Sequence, residues 1–305
     1  MTKTAFLFPG QGGQFVGMGS QWLDSPGKLT DLLKLADRAT GRPITEYCLN
    51  GPLSELTKTS NLQVATLAVI LAAAKVAISF GLQPTAAAGH SLGEFGALTL
   101  AGVLTEEEAM TLVAKRSALM EETSSQTPGA MSAILELSPQ DVESLCELAR
   151  NEGQVVAANF NSPLQTVISG EPRAVSAAVR FSELKGGKAV PLPVSGAFHS
   201  PLMKPAALAF SQILDSVEFK TPKFPVVPNA LGQPVTDPNH LKELLKDQMT
   251  SPVRFTSTIS SLIEMGVDDF LECWPKAYLG PMVRKNIKNT DLKITIQPAG
   301  KLAKS

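Results

Sequence analysis

Residues 86–98, AAAGHSLGEFGAL, place a serine between two glycines, with a run of small residues before it and alternating small and apolar residues after it. The pattern Gly89-His90-Ser91-Leu92-Gly93 is a nucleophile elbow only where a strand leads in and a helix leads out. Both are expected here. Glycines on either side leave room for a tight, strained turn that raises the serine hydroxyl above a sheet and turns the following amide toward the same point. Taken alone, the stretch favours the nucleophile but leaves open a plainer reading, a glycine-flanked turn at a helix start.

The flanking sequence supports the strand and the helix. TAFLF runs into Pro9 and a loop holding Gly10, Gly12 and Gly13, which reads as a short strand, 5–8, and its exit. A helix ending near Phe80 and Gly81 leads through Pro84 to a small-residue strand, 85–88, that delivers Ser91. Helical character continues over 91–100. Thr105, followed by Glu106, Glu107 and Glu108, reads as the N-cap of a second helix whose acidic first turn suits the helix dipole and which carries Lys115 and Arg116.

From Gly129 to about Ser195 the texture changes. AMSAILEL reads as a strand, and a helix follows with Ser138 as N-cap, Pro139 at its first position and Asp141 three beyond the cap. VVAANF and QTVISG are strands joined at Ser162-Pro163, PRAVSAAVRFSELKGG is a helix, and KAVPLPV is a strand. The order βαββαβ is that of a ferredoxin-like unit. The expected fold class is α/β: a large domain with a parallel sheet, residues 1–127 and 197–305, and an inserted ferredoxin-like domain, residues 128–196.

Composition narrows the function classes. The 305 residues, 44% hydrophobic, can bury a large core. With 27 basic against 28 acidic residues the net charge is −1, so nothing global attracts nucleic acid or an anionic membrane surface. Cys48, Cys146 and Cys273 form no CxxC pair and no secretory leader is recognisable, which reads as reduced thiols in a cytoplasmic protein. No metal site is expected, because His90, His199 and His240 lack ligand-spaced neighbours. The most apolar window, 63–82, is interrupted by Lys75 and polar residues and reads as a core helix too broken to span a bilayer.

A serine nucleophile needs a base. His90 adjoins Ser91, but in a sharp turn its side chain points elsewhere, so it reads as an elbow-packing residue. His240, in an Asp-Pro-Asn-His turn, reads as a surface residue. A lone histidine is more often structural, and His199 in VSGAFHSPLMKP becomes the candidate base once Ser91 is accepted.

FPGQGGQ (8–14), AGHSLGEF (88–95), KRSALM (115–120), NFNSP (159–163) and GAFHSPLM (196–203) occur in the order found in malonyl-CoA:acyl-carrier-protein transacylases, and the chain resembles that family from its first strand to about residue 280. The resemblance implies an α/β-hydrolase-like domain with an inserted ferredoxin-like domain. It implies Ser91 as acyl acceptor, His199 as its base, and an oxyanion hole formed by the backbone amides of Gln11 and Leu92. Arg116, a solvated helix residue on periodicity alone, becomes the clamp for the malonyl carboxylate. Phe198 becomes the bulky residue that disfavours an α-methyl branch, and Gln248 the residue whose carbonyl orients the histidine in place of a carboxylate. Asn159 and Asn161 resemble residues near the cleft, with turn capping an equal alternative.

The implied reaction is a ping-pong transfer from malonyl-CoA to the phosphopantetheine thiol of acyl carrier protein, with no cofactor beyond the two substrates. The carrier is the expected partner and the chain is expected to act as a monomer. The expected pathway is fatty acid synthesis. The competitors are a trans-acting malonyltransferase serving polyketide carriers, an acyl-CoA esterase or thioesterase, and a non-catalytic carrier-binding subunit, against which the intact Ser91, His199 and Arg116 set speaks. An acidic carrier calls for a basic patch, for which Arg284 to Lys288 and Lys185 and Lys188 are candidates, each also readable as a solvated face. One departure is Trp274 in ECWPKAYLGP, where relatives usually carry glycine: tryptophan adopts positive φ at a cost, which puts the local backbone course in question.

Overall fold

Strand β1 (Thr4–Phe8) is buried along its whole length, and its side chains divide by parity. Phe6 and Phe8 enter one hydrophobic core, Ala5 and Leu7 another. That is the pattern of a strand covered on both faces, as parallel sheets require. The structure, a computed structural model, describes residues 2–288 and 293–304; the remaining positions of the expected domains lie outside the described residues.

The other strands are β2 (Pro84–Gly89), β3 (Ala130–Leu135), β4 (Val155–Ser162), β5 (Gln165–Gly170), β6 (Lys188–Pro191), β7 (Val226–Val227), β8 (Asp269–Glu272) and β9 (Thr295–Pro298). One sheet has the order β7-β2-β1-β8-β9, with every pairing parallel. β1 and β2 are neighbours, so their C-terminal ends deliver the 9–14 loop and Ser91 to the same edge, where open α/β sheets form their sites.

Helix Thr59–Ser79 lies in the larger core and is buried over nearly all its length. By length and composition it could cross a membrane, contrary to the sequence expectation, but it is packed inside the protein as a core helix. Helix Glu106–Gln126 opens with the expected Thr105 cap: its hydroxyl accepts the Glu108 amide and the Glu108 carboxylate accepts the Thr105 amide, a closed capping box. Ser138 likewise accepts the Asp141 amide. His240 does not lie in a turn. Asp237 caps a helix, Pro238–Asp247, and His240 is exposed in its first turn, because Asp-Pro suits a helix start as well as a bend.

The second sheet has the order β4-β5-β3-β6 and is antiparallel throughout. Within the unit that begins at β3 this is the ferredoxin-like order. Ile134 and Ile168 face its two helices with Val142 and Val175, while Ala133 and Val167 on alternate positions turn to the larger core. β4 is also tied to the other part of the chain, since Val253 donates to Ala158 at 2.8 Å and accepts from Phe160 at 2.9 Å.

The elbow itself shows why its residues must be small. A Cβ on Gly89 would stand 1.9 Å from the Gly93 carbonyl carbon, and one on Gly93 would stand 1.9 Å from the Phe8 carbonyl oxygen. Both obstacles are backbone and cannot move aside. Gly93→Ala is therefore expected to destabilise the protein by about 3 kcal/mol or more, lowering Tm by roughly 5–10 °C in a thermal melt. An unchanged Tm would contradict the packing described here.

Candidate active site

Ser91 sits at φ 51° and His199 at φ 58°, two of four non-glycine residues with positive φ among those described. Left-handed backbone costs an ordinary residue about 1–2 kcal/mol and persists only where surrounding structure enforces it, commonly at functional sites. The two residues meet. His199 Nε2 lies 2.8 Å from Ser91 Oγ. Nδ1 of the same ring lies 3.0 Å from the Gln248 carbonyl and 3.2 Å from the Ser251 carbonyl. Both of these partners can only accept, so Nδ1 carries the proton and Nε2 offers its lone pair to the serine. Burial lowers the His199 pKa to about 3, with the Arg116 charge adding to the effect, so the ring is a neutral acceptor at ordinary pH.

Arg116 is fully buried, which overturns its reading as a solvated helix residue. Its Nη1 donates to Gln63 Oε1 at 2.6 Å, and its Nη2 donates to Gln248 Oε1 at 2.8 Å and reaches Ser91 Oγ at 3.4 Å. Nε has no partner. Burial pulls its pKa down to about 10, partly offset by the nearby Glu94 carboxylate, and the guanidinium stays charged at neutral pH. A buried guanidinium with an unpaired donor thus stands beside the serine hydroxyl, and buried charge of this kind favours an anionic partner.

The loop after β1 closes on the elbow. A Cβ on Gly10 would lie 2.5 Å from the His90 carbonyl oxygen and 3.7 Å from the Leu92 nitrogen, so only glycine lets the loop approach this near. Gln11 is held by Tyr278, whose hydroxyl donates to its carbonyl at 2.9 Å, and by Gln63, whose Nε2 donates to its Oε1 at 3.1 Å. The Ser91 amide is taken by Asn229 Oδ1 at 2.6 Å, which leaves Leu92 as the elbow amide next to the hydroxyl.

A cavity of about 170 Å³ lies over Ser91 and His199, walled by Phe198 and Gln11 on one side and by Asn159, Met131 and Val167 of the antiparallel sheet on the other. Phe198 is buried beside His199, as expected. Asn159 and Asn161 are not turn caps: both lie on strand β4, and Asn161 Oδ1 accepts from His90 Nε2 at 2.8 Å. His90 is thereby turned from Ser91, with its ring 5.6 Å from that of Phe255, and serves as the packing residue that the sequence suggests.

Three contributors have no sequence signal: Asn229, Glu94 in its paired role, and Gln63. Each is a polar side chain buried by partners distant in sequence. Trp274 is buried without positive φ, its amide donating to the Glu272 carbonyl at 2.8 Å, so the expected backbone conflict does not arise. Its indole Nε1 would be 3.2 Å from a Cβ on Gly13, which places it as a wall of the loop that holds Gln11. Of the candidate basic patch, Lys185 pairs with Asp141 and Lys188 with Glu136, while Arg284, Lys285 and Lys288 are exposed. Cys48, Cys146 and Cys273 are free and buried. Among the described residues no group of three or more His, Cys, Asp or Glu could hold a metal ion.

Residues 5–304 match the acyl transferase domain family. The malonyl CoA-acyl carrier protein transacylase of Bacillus subtilis (strain 168) is 39% identical over 287 residues, 93% of this chain and 90% of that protein. The chain belongs to the malonyl-CoA:acyl-carrier-protein transacylase family. Among solved structures, the family's Coxiella burnetii member superposes with a TM-score of 0.93 at 35% identity, covering 99% of this chain and 96% of that one. A malonyl-transacylase solved in complex with a type II PKS acyl-carrier protein superposes at 0.92 with 33% identity, covering 97% and 96%. The family is one of acyltransferases, and its match spans both sheets.

Proposed function

We propose that this acyltransferase moves a malonyl group from malonyl-CoA to the phosphopantetheine thiol of an acyl carrier protein through a malonyl-Ser91 ester. The observation that carries the reading is one buried arginine within reach of a serine that is already hydrogen-bonded to a neutral histidine. Ser91 Oγ attacks the thioester carbonyl as His199 Nε2 takes its proton. The amides of Leu92 and Gln11 receive the oxyanion, and donors fixed in advance favour the tetrahedral state over the planar thioester. CoA leaves with the proton from His199. The carrier thiol then repeats the sequence in reverse, returning Ser91 to its hydroxyl. Atoms balance with the two substrates alone, and no cofactor is needed.

Arg116 sets which acyl group enters. A malonyl carboxylate pairs with the guanidinium, whereas an acetyl group leaves the donors facing the acyl group without an acceptor. Phe198 narrows the space for an α-branch. A monomer is the assignment kept from the sequence, and the free, buried cysteines suit the cytoplasm. Of the candidate patch, Arg284, Lys285 and Lys288 are exposed and could meet an acidic carrier. Fatty acid synthesis is the primary assignment. The neighbour solved with a polyketide carrier gives the second reading, service to a polyketide synthase. Initial rates with malonyl-CoA and each type of holo-carrier test both: parallel double-reciprocal lines support a covalent intermediate, and the carrier with the higher kcat/KM assigns the pathway. Release of free malonate at the rate of CoA would instead indicate a thioesterase.

The depressed pKa of His199 fixes a pH profile. The neutral ring is the active form, so activity is present above the folded pKa and lost as pH falls through it. Because kcat/KM reports the free enzyme, the rate with malonyl-CoA should stay level from about pH 8 to about 4.5 and fall only below that. An inflection near about 6.5, the value of an unperturbed histidine, would contradict the buried, proton-poor ring.

A further inference from the structure

Asn229 follows β7, far in sequence from the elbow, and is 1% exposed. Its side chain grips both sides of the turn that carries Ser91: Oδ1 accepts the Ser91 amide at 2.6 Å and Nδ2 donates to the Gly89 carbonyl at 2.9 Å. These two bonds bracket the left-handed residue. Asn229 is itself held by Glu94, in the first turn of the elbow helix, whose Oε2 accepts the Asn229 amide at 3.0 Å and its Nδ2 at 2.5 Å. The same oxygen accepts Gln248 Nε2 at 2.9 Å, and Nε2 also donates to the Ser91 carbonyl at 3.0 Å. Both the N–H and the C=O of Ser91 thus end on one buried polar cluster.

We propose that Asn229 is a positioning residue for acyl transfer, holding Ser91 in the left-handed conformation that aims Oγ at His199 and the Leu92 amide at the reacting carbonyl. This rests on the reading of Ser91 as the acyl acceptor. By occupying the Ser91 amide it also removes that group as a competing donor, so the oxyanion is received by Leu92. Without Asn229 the Ser91 peptide is released toward the commoner backbone regions, which lowers the hydroxyl and swings the Leu92 N–H away together. Asn229 does not itself line the cavity, and the hydrogen bonds of Arg116 go to Gln63, Gln248 and Ser91, so substrate affinity is left in place and the chemical step is lost.

The experiment compares wild type, Asn229→Ala and Asn229→Asp in single-turnover acylation by malonyl-CoA, read by intact mass, with Tm taken for each. The aspartate keeps an acceptor for the Ser91 amide but cannot donate to Gly89 and sets a second carboxylate against Glu94. Expected are folded variants acylating roughly 100-fold more slowly, as when one oxyanion donor is removed, with the half-saturating malonyl-CoA concentration within about threefold of wild type. The proposal is overturned if a folded variant acylates at the wild-type rate, if the loss lies in half-saturation, or if neither variant folds, which would make Asn229 only a part of the fold. A wild-type protein that takes up no malonyl group overturns the reading of Ser91 instead, and the proposal with it.

Discussion

Ser91→Ala should fold and yet take up no malonyl group, and its transfer rate should fall by a factor between about 10⁴ and 10⁶. The size follows from geometry. Oγ lies 2.8 Å from His199 Nε2, and among the described residues no other hydroxyl is hydrogen-bonded to that nitrogen. His199→Ala should cost about as much, and the double variant little more than either, because nucleophile and base act as one unit. Stopped assays of carrier malonylation measure this, with a melt to show that the fold is intact. A Ser91→Ala protein retaining a tenth of the rate would mean that the acyl group does not pass through Ser91.

The second large effect concerns Arg116→Ala. On the proposed pairing, malonyl-CoA should lose about 10³-fold in kcat/KM as a charged contact to its carboxylate disappears, while acetyl-CoA should gain several-fold because no guanidinium donor is left without its carboxylate. The acidic limb of the pH profile should also move upward, because the guanidinium is the second cause of the depressed His199 pKa. Stability should fall by about 3–5 kcal/mol, as Glu94 loses its buried counter-charge and the Gln63 and Gln248 side-chain oxygens lose their donor. Competition between the two thioesters, followed by mass, separates selectivity from this loss of stability. Equal falls for malonyl and acetyl would show that Arg116 supports the fold without choosing the substrate.

What the sequence made legible is what is local. The elbow can be read because its glycines answer a steric demand within five residues, and the caps at Thr105 and Ser138 because a hydroxyl and a carboxylate three residues apart satisfy each other. The βαββαβ order appears because each element carries its own periodicity. Arg116 was misread by the same logic. Helix Glu106–Gln126 is buried on several sides, between helix Thr59–Ser79 and its neighbours, so polar residues on it are no sign of water. The clamp role proposed for Arg116 comes only through resemblance, as does the carbonyl of Gln248, since main-chain geometry leaves no mark on residue identity.

Asn229 was invisible for another reason. Nothing in PVVPNALG says that a side chain there will close on an amide more than a hundred residues away. The 272–280 loop shows the converse, a rule applied too strictly. Glycine in relatives suggested a positive φ at Trp274, but Glu272 accepts the amides of Tyr278, Leu279 and Gly280 and fixes the loop without one.

The central claim, a malonyl ester on Ser91 poised for transfer, is tested most directly by the mass of the intact protein after incubation with malonyl-CoA, followed by addition of holo-carrier protein. The account predicts one malonyl group on the protein, located on Ser91 by peptide mapping, absent from Ser91→Ala, and passed to the carrier thiol as the protein returns to its starting mass. A carrier that becomes malonylated while the protein never gains that mass, or gains it equally in Ser91→Ala, would contradict it.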